Sequence, residues 1–288
     1  MRQQLQLLLL IALVIALGAA GYRILFGSGP GYELVVVSAA GATAEVGGRS
    51  VGEIGPGTTL PVDSRVQTGE DGQARLRYGD NAELLMAELS SIQVVSADPT
   101  GLRVELESGT VSARVRQGAA PLNISNRGRS VGATDADFTV MVGSSGPLSV
   151  ASQRGKLSLI GMGDQSILEP NTSLHTHGAD RTAVLPITES LLFEVEWPEE
   201  TKTRESTVEV AGTTDPYATV TLGSGPDAVR VRADRDGRFR ATVPLIEGDN
   251  DIELRVRDVS GRKATKRQAL SRDTTAPTIE AAEVVWGQ

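Results

Sequence analysis

The sequence predicts an all-β protein, and three observations support this prediction. Apolar and polar residues alternate in short runs, with Ala74, Leu76 and Tyr78 on one parity and Arg75 and Arg77 on the other. The chain contains 32 glycines and 13 prolines, as many short strands joined by tight turns require. Its 288 residues are 40% hydrophobic, so the chain can bury a core and is long enough for about two domains.

The first 26 residues predict a membrane segment. The twenty residues between Arg2 and Arg23 carry no charge, and we expect residues 5–22 to enter the membrane as a helix. Two outcomes stay open, an uncleaved anchor or a signal peptide cut near Gly18-Ala19-Ala20. In both, the positive charges at the N-terminus keep it in the cytoplasm, and the rest of the chain is exported.

After this segment the pattern predicts two β domains joined by polar stretches. Residues 27–33 form a glycine-rich linker, and residues 34–186 form the first domain. Residues 187–204 contain a connecting strand and a polar linker. Residues 205–273 form a small β-sandwich of the immunoglobulin type, and residues 274–288 form a tail.

Within the first domain we expect half-buried strands separated by glycine-containing turns. The predicted turns are Glu70-Asp71-Gly72, Tyr78-Gly79-Asp80-Asn81, Asp98-Pro99-Thr100-Gly101, Ser108-Gly109 and Gln117-Gly118.

Four segments of the first domain carry a family resemblance. They are residues 34–46, residues 60–84 with Thr68-Gly69 and Asp71-Gly72, residues 104–115, and residues 134–140. In this order they resemble the FecR domain of bacterial envelope proteins. The resemblance implies a β-solenoid of short strands, with a double-layer β-sandwich as the alternative. Many members of the family have Gly-Thr directly before the Phe of the last segment, where this sequence has Ala136-Asp137 before Phe138.

The resemblance also implies a place in the cell. We expect a single-pass protein of the bacterial inner membrane, with the bulk of the chain on the periplasmic or extracytoplasmic side. In iron-uptake regulators of this family, the domain senses an outer-membrane transporter and relays the signal to a sigma factor through a cytoplasmic N-terminal segment. Here only about residues 1–4 can lie in the cytoplasm, so we do not expect that relay.

The second domain carries a different resemblance. Residues 208–222, residues 234–265 and the trailing Asp273-Thr274-Thr275-Ala276-Pro277 are similar to bacterial Ig-like modules related to domain B of glucodextranase. Such modules usually act as spacers or binding appendages. The resemblance therefore does not imply glycosidase activity.

Composition excludes several functions. The formal net charge of −8 and a pI near 5.0 oppose nucleic-acid binding, which depends on arginine and lysine contacts to phosphates. The chain has no cysteine, which excludes thiol catalysis, disulfides and thiolate metal sites. We expect no cofactor and no catalytic residues.

The candidate site residues are few, and each has a simpler structural interpretation. Arg75, Arg77, Arg114 and Arg116 lie on outward parities and form a possible binding stripe for an anionic envelope polymer, or a solvated face. His175 and His177 share a strand face and could bind a metal with Glu169 or Asp180, but the pattern favours exposed strand-end residues.

Two further patterns favour structural roles. Asp234-Arg235-Asp236-Gly237 resembles the start of a calcium loop, but the later ligands are absent and a turn is favoured. Tyr32, Trp197, Tyr217 and Trp286 could stack on a glycan, although single aromatics more often fill cores or domain junctions.

Together these patterns predict a non-catalytic, membrane-anchored envelope protein that acts as a binding or scaffolding module. Its expected partner is an envelope protein or a cell-wall or polysaccharide component. Two alternatives stay open: an envelope signal-sensing protein of the FecR type that works through a membrane partner, and a carbohydrate-binding accessory of an envelope polysaccharide system. A carbohydrate-active enzyme would need paired carboxylates in a cleft.

Overall fold

The fold is known from a computed structural model that describes residues 32–80, 82–143, 147–177, 181–223 and 228–275. Within these ranges all regular structure is β, and no helix has the length and hydropathy that a membrane crossing needs. The predicted membrane segment, residues 1–26, lies outside the described residues. The chain divides into two compact units between Thr188 and Glu189, called here the larger and the smaller unit.

The larger unit contains fifteen strands that belong to one hydrogen-bonded sheet. In chain order they are β1 Leu34–Val46, β2 Arg49–Glu53, β3 Thr59–Leu60, β4 Ser64–Tyr78, β5 Ala82–Met86, β6 Ser91–Asp98, β7 Gly101–Val115, β8 Leu122–Asn126, β9 Arg129–Ala133, β10 Ala136–Val142, β11 Leu148–Arg154, β12 Leu157–Ile160, β13 Ile167–Leu168, β14 Thr172–His177 and β15 Arg181–Pro186.

The three longest strands of the larger unit are β1, β4 and β7, and the sheet bends around its core along them. The first half of β4 pairs with β6 and its second half pairs with β5, while β1 runs beside both halves. Residues of even number are buried in both halves, for example Ser64 and Val66, then Ala74 and Leu76. Because one face stays buried on both sides of the bend, the sheet folds over its own core.

Glycines form the corner of this bend. Gly41 of β1 has a φ of 54° and lies against Gly72 of β4, and a Cβ atom on Gly72 would meet the Gly41 carbonyl oxygen at 2.5 Å. The predicted turn at Glu70-Asp71-Gly72 is therefore wrong, because these residues lie inside the continuous strand β4. Strands bend at glycine without ending, and the sequence signal of the bend is the same as that of a turn.

The predicted turn at Ser108-Gly109 is wrong for the same reason, since both residues lie inside β7. Gly109 has a φ of 88°, and a Cβ atom there would meet Ser90 Oγ at 2.4 Å. The turns at Asp98-Pro99-Thr100-Gly101 and Gln117-Gly118 are confirmed between successive strands. Asp98 Oδ1 accepts a hydrogen bond from the Thr100 backbone N–H at 2.8 Å in the first of them.

Strand pairing tests the expected β-solenoid architecture. Among the described residues of the larger unit, β7 and β8 form the only parallel pair, and the other pairs are antiparallel. A β-solenoid stacks the strands of successive coils in parallel. The described residues therefore form a folded antiparallel sheet and show no solenoid.

The core of the larger unit is mostly aliphatic, with Tyr78 and Phe138 as its aromatic members. Phe138 is its largest fully buried side chain, and Leu34, Leu76, Leu84 and Met86 belong to the same buried cluster. The alternation predicted for Ala74 to Met86 is confirmed, since the apolar parity is buried and Arg75 and Arg77 are exposed.

The smaller unit is built from two sheets over a second core. Its strands are β16 Phe193–Glu196, β17 Lys202–Thr203, β18 Thr207–Thr214, β19 Thr219–Leu222, β20 Val229–Arg232, β21 Arg238–Pro244, β22 Gly248–Arg257 and β23 Lys263–Arg272. One sheet has the order β16-β18-β21 and the other has the order β17-β23-β22-β19-β20. Val210 and Phe239 of the first sheet share a core with Val220 and Leu254 of the second.

Candidate functional site

A regular row of charged side chains lies across five adjacent strands of the larger unit. The register places Arg77 of β4 opposite Glu83 of β5, Glu83 opposite Arg114 of β7, and Arg114 opposite Asp137 of β10. Asp137 is in turn opposite Arg154 of β11. We call these five residues the charge ladder, because their signs alternate at each step across the sheet.

Asp137 is the centre of the ladder's ion pairs. Its Oδ1 accepts a hydrogen bond from Arg116 Nη1 at 2.7 Å and lies 3.7 Å from Arg114 Nε. Its Oδ2 accepts a hydrogen bond from Arg154 Nε at 3.2 Å. Arg154 also donates through Nη1 to Asp135 Oδ1 at 2.7 Å and through Nη2 to the Val115 carbonyl oxygen at 3.1 Å.

Electrostatics fix the charge state of this centre. Desolvation raises the pKa of the Asp137 carboxyl, but hydrogen bonds from Arg116 and Arg154 and their positive charges outweigh it, so the pKa lies below its ordinary value. The hydrogen bond to Asp135 and the two carboxylate charges raise the pKa of Arg154, against some desolvation. Asp137 and Arg154 are therefore both charged at neutral pH.

The structure places the four arginines of the predicted stripe on this face, but it does not make them a basic stripe. Arg114 and Arg116 both pair with Asp137, and Arg77 lies opposite Glu83. Arg75 is exposed and lies opposite Leu85, whose exposed fraction is 40%. Binding of an anionic polymer by these arginines stays a prediction that their acidic neighbours weaken.

Sequence reasoning missed the acidic members of the ladder. Asp137 stands in the segment where the chain departs from the FecR pattern, directly before Phe138, and that departure was the available signal. No sequence pattern pointed to Arg154 or Asp135, because only the register of β10 against β11 brings them together.

His175 is placed differently from the expectation. His175 lies on β14 between β11 and β15 and is 1% exposed, so its prediction as an exposed strand-end residue is wrong. Its Nδ1 lies 2.9 Å from Ser149 Oγ, and its Nε2 lies 3.0 Å from Ser173 Oγ. The side chain of His177, like Asp180, lies outside the described residues, and Glu169 pairs with Lys156 at 2.9 Å.

The other candidates adopt structural roles where they are described. Asp234 Oδ1 accepts hydrogen bonds from the backbone N–H groups of Asp236 and Arg238, so the predicted turn is confirmed. Tyr217 is 3% exposed, and Trp197 packs on the core of the smaller unit. Tyr32 is 36% exposed, and Trp286 lies outside the described residues.

Chemistry that needs a metal or a deep cleft has little support in the described ranges. Within them no three His, Cys, Asp or Glu side chains cluster closely enough to hold a metal ion. A hollow of about 310 Å³ is lined by Glu45, Gly47, Gly48, Asp63, Arg65 and Gln93. Arg65 is already paired there with Glu107, with Nη2 and Oε1 2.6 Å apart.

Comparison with known proteins finds a family match for one region of the chain. Residues 64–158 match the FecR protein family. The match begins at β4, covers about one third of the chain and includes every member of the charge ladder. No curated protein matches the sequence.

Two solved structures are similar to part of the chain. Both are crystal structures of a proposed anti-sigma factor from Parabacteroides distasonis ATCC 8503, with 14% and 15% sequence identity. Each comparison covers 42% of this chain and 59% of the other chain, with a TM-score of 0.38. The chain thus spans less than two thirds of the length of these proteins.

Proposed function

We propose that this protein is a non-catalytic binding module of the bacterial cell envelope, whose FecR region recognises a protein partner through the charge ladder. The observation that carries the proposal is the alternation of charge across five adjacent strands. Such a row offers a partner a fixed pattern of positive and negative groups, which gives specificity and register more than affinity.

The geometry of the ladder suits recognition better than structural support. Arg114, Arg116 and Arg154 have side chains that are 62%, 42% and 43% exposed, and ion pairs at such exposure contribute little to folding stability. Hydrogen bonds to Asp137 hold the guanidinium groups of Arg116 and Arg154 in place, so a partner would lose little side-chain entropy on binding them. Leu85 supplies an exposed apolar side chain two residues along β5 from Glu83.

The FecR match supports a signal-regulatory setting for this binding. Anchoring by residues 1–26 in the inner membrane, export of both units and an Ig-like spacer role for the smaller unit belong to the same proposal. The partner in this setting is a membrane or envelope protein that carries the signal.

Site-specific photocrosslinking in cells tests the proposal. A photoreactive amino acid at Arg75 or Leu85 of the full chain should capture a discrete envelope protein in intact bacteria. Arg114→Glu should abolish that capture, because it places a third carboxylate between Glu83 and Asp137. The matched control is Arg240→Glu on the smaller unit, where the exposed Arg240 pairs with Glu209 at 2.9 Å.

The control variant should keep the capture at its wild-type level. Capture of no envelope protein at either position, or an equal loss in both variants, would overturn the proposal.

A further inference from the structure

The sheet of the larger unit ends at β15, which leaves one edge of this strand open. Among the described residues β15 pairs only with β14, in an antiparallel register. The Ile187 backbone N–H donates to the Asn171 carbonyl oxygen at 2.9 Å, and hydrogen-bonded pairs alternate along an antiparallel ladder. The backbone groups of Thr182, Val184 and Pro186 therefore point away from β14.

The open edge of β15 also exposes an apolar side chain. Val184 lies opposite Leu174, which is fully buried in the core, so both side chains are on the core face of the sheet. No strand among the described residues lies beyond Val184, and its side chain is 41% exposed. A further strand on this edge would cover Val184 and extend the core face.

Its sequence distinguishes β15 from the other terminal strands, which are the strands that pair on one side only. Every residue from Thr182 to Thr188 is uncharged. Among the described terminal strands β2, β16, β17, β20 and β21 carry charged residues, and β3 and β13 have only two residues each. Charge and shortness protect a sheet edge from pairing with another chain. In β15 such protection is confined to its two ends, at Arg181 and Pro186.

The edge of β15 is complementary to a second copy of itself. A twofold axis through Ala183 would make the two strands antiparallel and place Thr182 of each copy opposite Val184 of the other. These are the residues whose backbone groups point outward, so every outward N–H of the strand would find a carbonyl acceptor. The ladder would stop at Pro186, which has no N–H to donate.

The same register is favourable for the side chains. Arg181, the one charged residue of β15, falls opposite Leu185 of the second copy and not opposite its own counterpart. A twofold axis perpendicular to the sheet keeps both core faces on the same side, so Val184 packs beside Thr182 of the second copy. The uncharged stretch thus needs no other sequence to complete it.

We infer that β15 pairs with β15 of a second copy of this chain and joins two larger units through one continuous sheet. The charge ladder has no member on β14 or β15, so this interface is independent of the protein partner proposed above. The paired segment is short, so the dimer is weak in solution. Anchoring of both copies in one membrane, as proposed for residues 1–26, raises their effective concentration.

Disulfide crosslinking of the full chain in native membranes tests the inference, because the chain has no cysteine of its own. Ala183 would face its own counterpart in a pair that is not hydrogen-bonded, with Cα atoms about 4.5 Å apart, which a disulfide can span. Ala183→Cys should therefore give a disulfide-linked dimer under mild oxidation. Thr182→Cys or Val184→Cys alone should give several-fold less dimer, because each is offset from its counterpart along the strand. Coexpression of these two variants should restore the crosslink.

Three further variants separate pairing from folding and from chance contact. In the Ala183→Cys background, Val184→Pro removes an N–H that points away from β14, so it should abolish the dimer and leave the melting temperature nearly unchanged. Val184→Lys places a charge on the edge and should lower the dimer yield several-fold, which keeps the test decisive if proline disturbs the fold. Val51→Cys is the matched control, because Val51 is 58% exposed on the charged terminal strand β2 and should give no dimer.

Salt separates this interface from the charge ladder. Added salt should leave the Ala183→Cys dimer unchanged or increase it, because the paired edges contain no ion pair and each copy has a formal net charge of −8. Arg114→Glu should likewise leave this crosslink at its parent level. A dimer yield at Ala183 no higher than at Val51, equal yields at Thr182, Ala183 and Val184, or a crosslink to a different protein in place of the dimer would each overturn the inference.

Discussion

Gly72 of β4 lies so close to Gly41 of β1 that a Cβ atom on Gly72 would approach the Gly41 carbonyl oxygen to 2.5 Å. The same atom would lie 2.6 Å from the backbone nitrogen of Gly69. Both neighbours are backbone atoms that cannot rotate away. The two strands can therefore follow the bend together only while this position has no side chain.

Gly72→Ala should destabilise the larger unit by about 1–3 kcal/mol, the usual cost of forcing an extra methyl group into a packed site. The backbone of Gly72 has no positive φ, so the cost is steric and not conformational. Urea unfolding followed by circular dichroism measures it. Gly55→Ala is the control, because a Cβ atom there meets nothing within 4 Å; an equal loss in both variants would contradict the close contact.

A buried hydroxyl on the same corner leads to a second prediction. Thr68 Oγ1 donates to the Ala87 carbonyl oxygen at 2.5 Å and accepts from the Ser90 backbone N–H at 2.9 Å. Thr68→Val keeps the shape but leaves the Ser90 N–H without this acceptor, so we expect a loss of about 1–3 kcal/mol in the free energy of unfolding.

Thr68→Ser separates the hydroxyl from the methyl group of this side chain. It retains both hydrogen bonds and should lose less stability than Thr68→Val when both are compared by urea unfolding. A valine variant as stable as the wild type would show that the hydroxyl contributes nothing to the corner.

The strands were predictable from the sequence, and the bends were not. Alternation identified the core positions Ala74, Leu76 and Leu84, because burial on one face imposes a period of two. Thr68-Gly69 and Asp71-Gly72 resemble turn residues, since glycine serves both a turn and a bent strand. Only tertiary packing of β1 on β4 decides between these outcomes. Strand β23 was not predicted, because Lys263–Arg272 is mostly polar.

The charge ladder was hidden for a different reason. Arg114 and Asp137 are distant in the chain, and the sequence gives the outward parity of each but not the register between their strands. A one-residue slip would put either residue on the opposite face. The register depends on β-bulges such as the one between Asp137 and Phe138, and no local sequence pattern predicts that bulge.

The pH dependence of Asp137 follows from its lowered pKa. Its ion pairs stabilise the fold fully above the pKa of an unfolded aspartate, about 3.9, and this contribution disappears as the pH falls through the lower folded-state pKa. Asp137→Asn should therefore cost about 1 kcal/mol at pH 7, a modest value because the partners are partly exposed, and progressively less as the pH falls below about 3.9.

A double-mutant cycle connects this effect to its partner. Arg116→Gln should cost less in the Asp137→Asn background than in the wild type at pH 7, and the two costs should converge at low pH. Chemical unfolding at several pH values gives both quantities. A cost of Asp137→Asn that does not change with pH would show that the carboxylate charge is not the cause.

The smaller unit contains a more buried ion cluster that should matter more for stability. Arg262 Nη2 donates to Asp215 Oδ2 at 2.6 Å, and Arg262 Nε donates to Asp258 Oδ2 at 2.7 Å, where the Asp258 side chain is only 2% exposed. Arg262→Gln would leave that carboxylate buried without its cation, so we expect a loss of about 3 kcal/mol. Arg262→Lys keeps the positive charge but cannot form both hydrogen bonds at once as the guanidinium does. Its loss in the free energy of unfolding should lie between those of the wild type and Arg262→Gln. Arg240→Gln, at an exposed pair, should cost less than about 0.5 kcal/mol.

Thermal and urea unfolding of the three variants rank these costs. Equal losses of stability at Arg262 and Arg240 would contradict a stabilising role for the buried cluster.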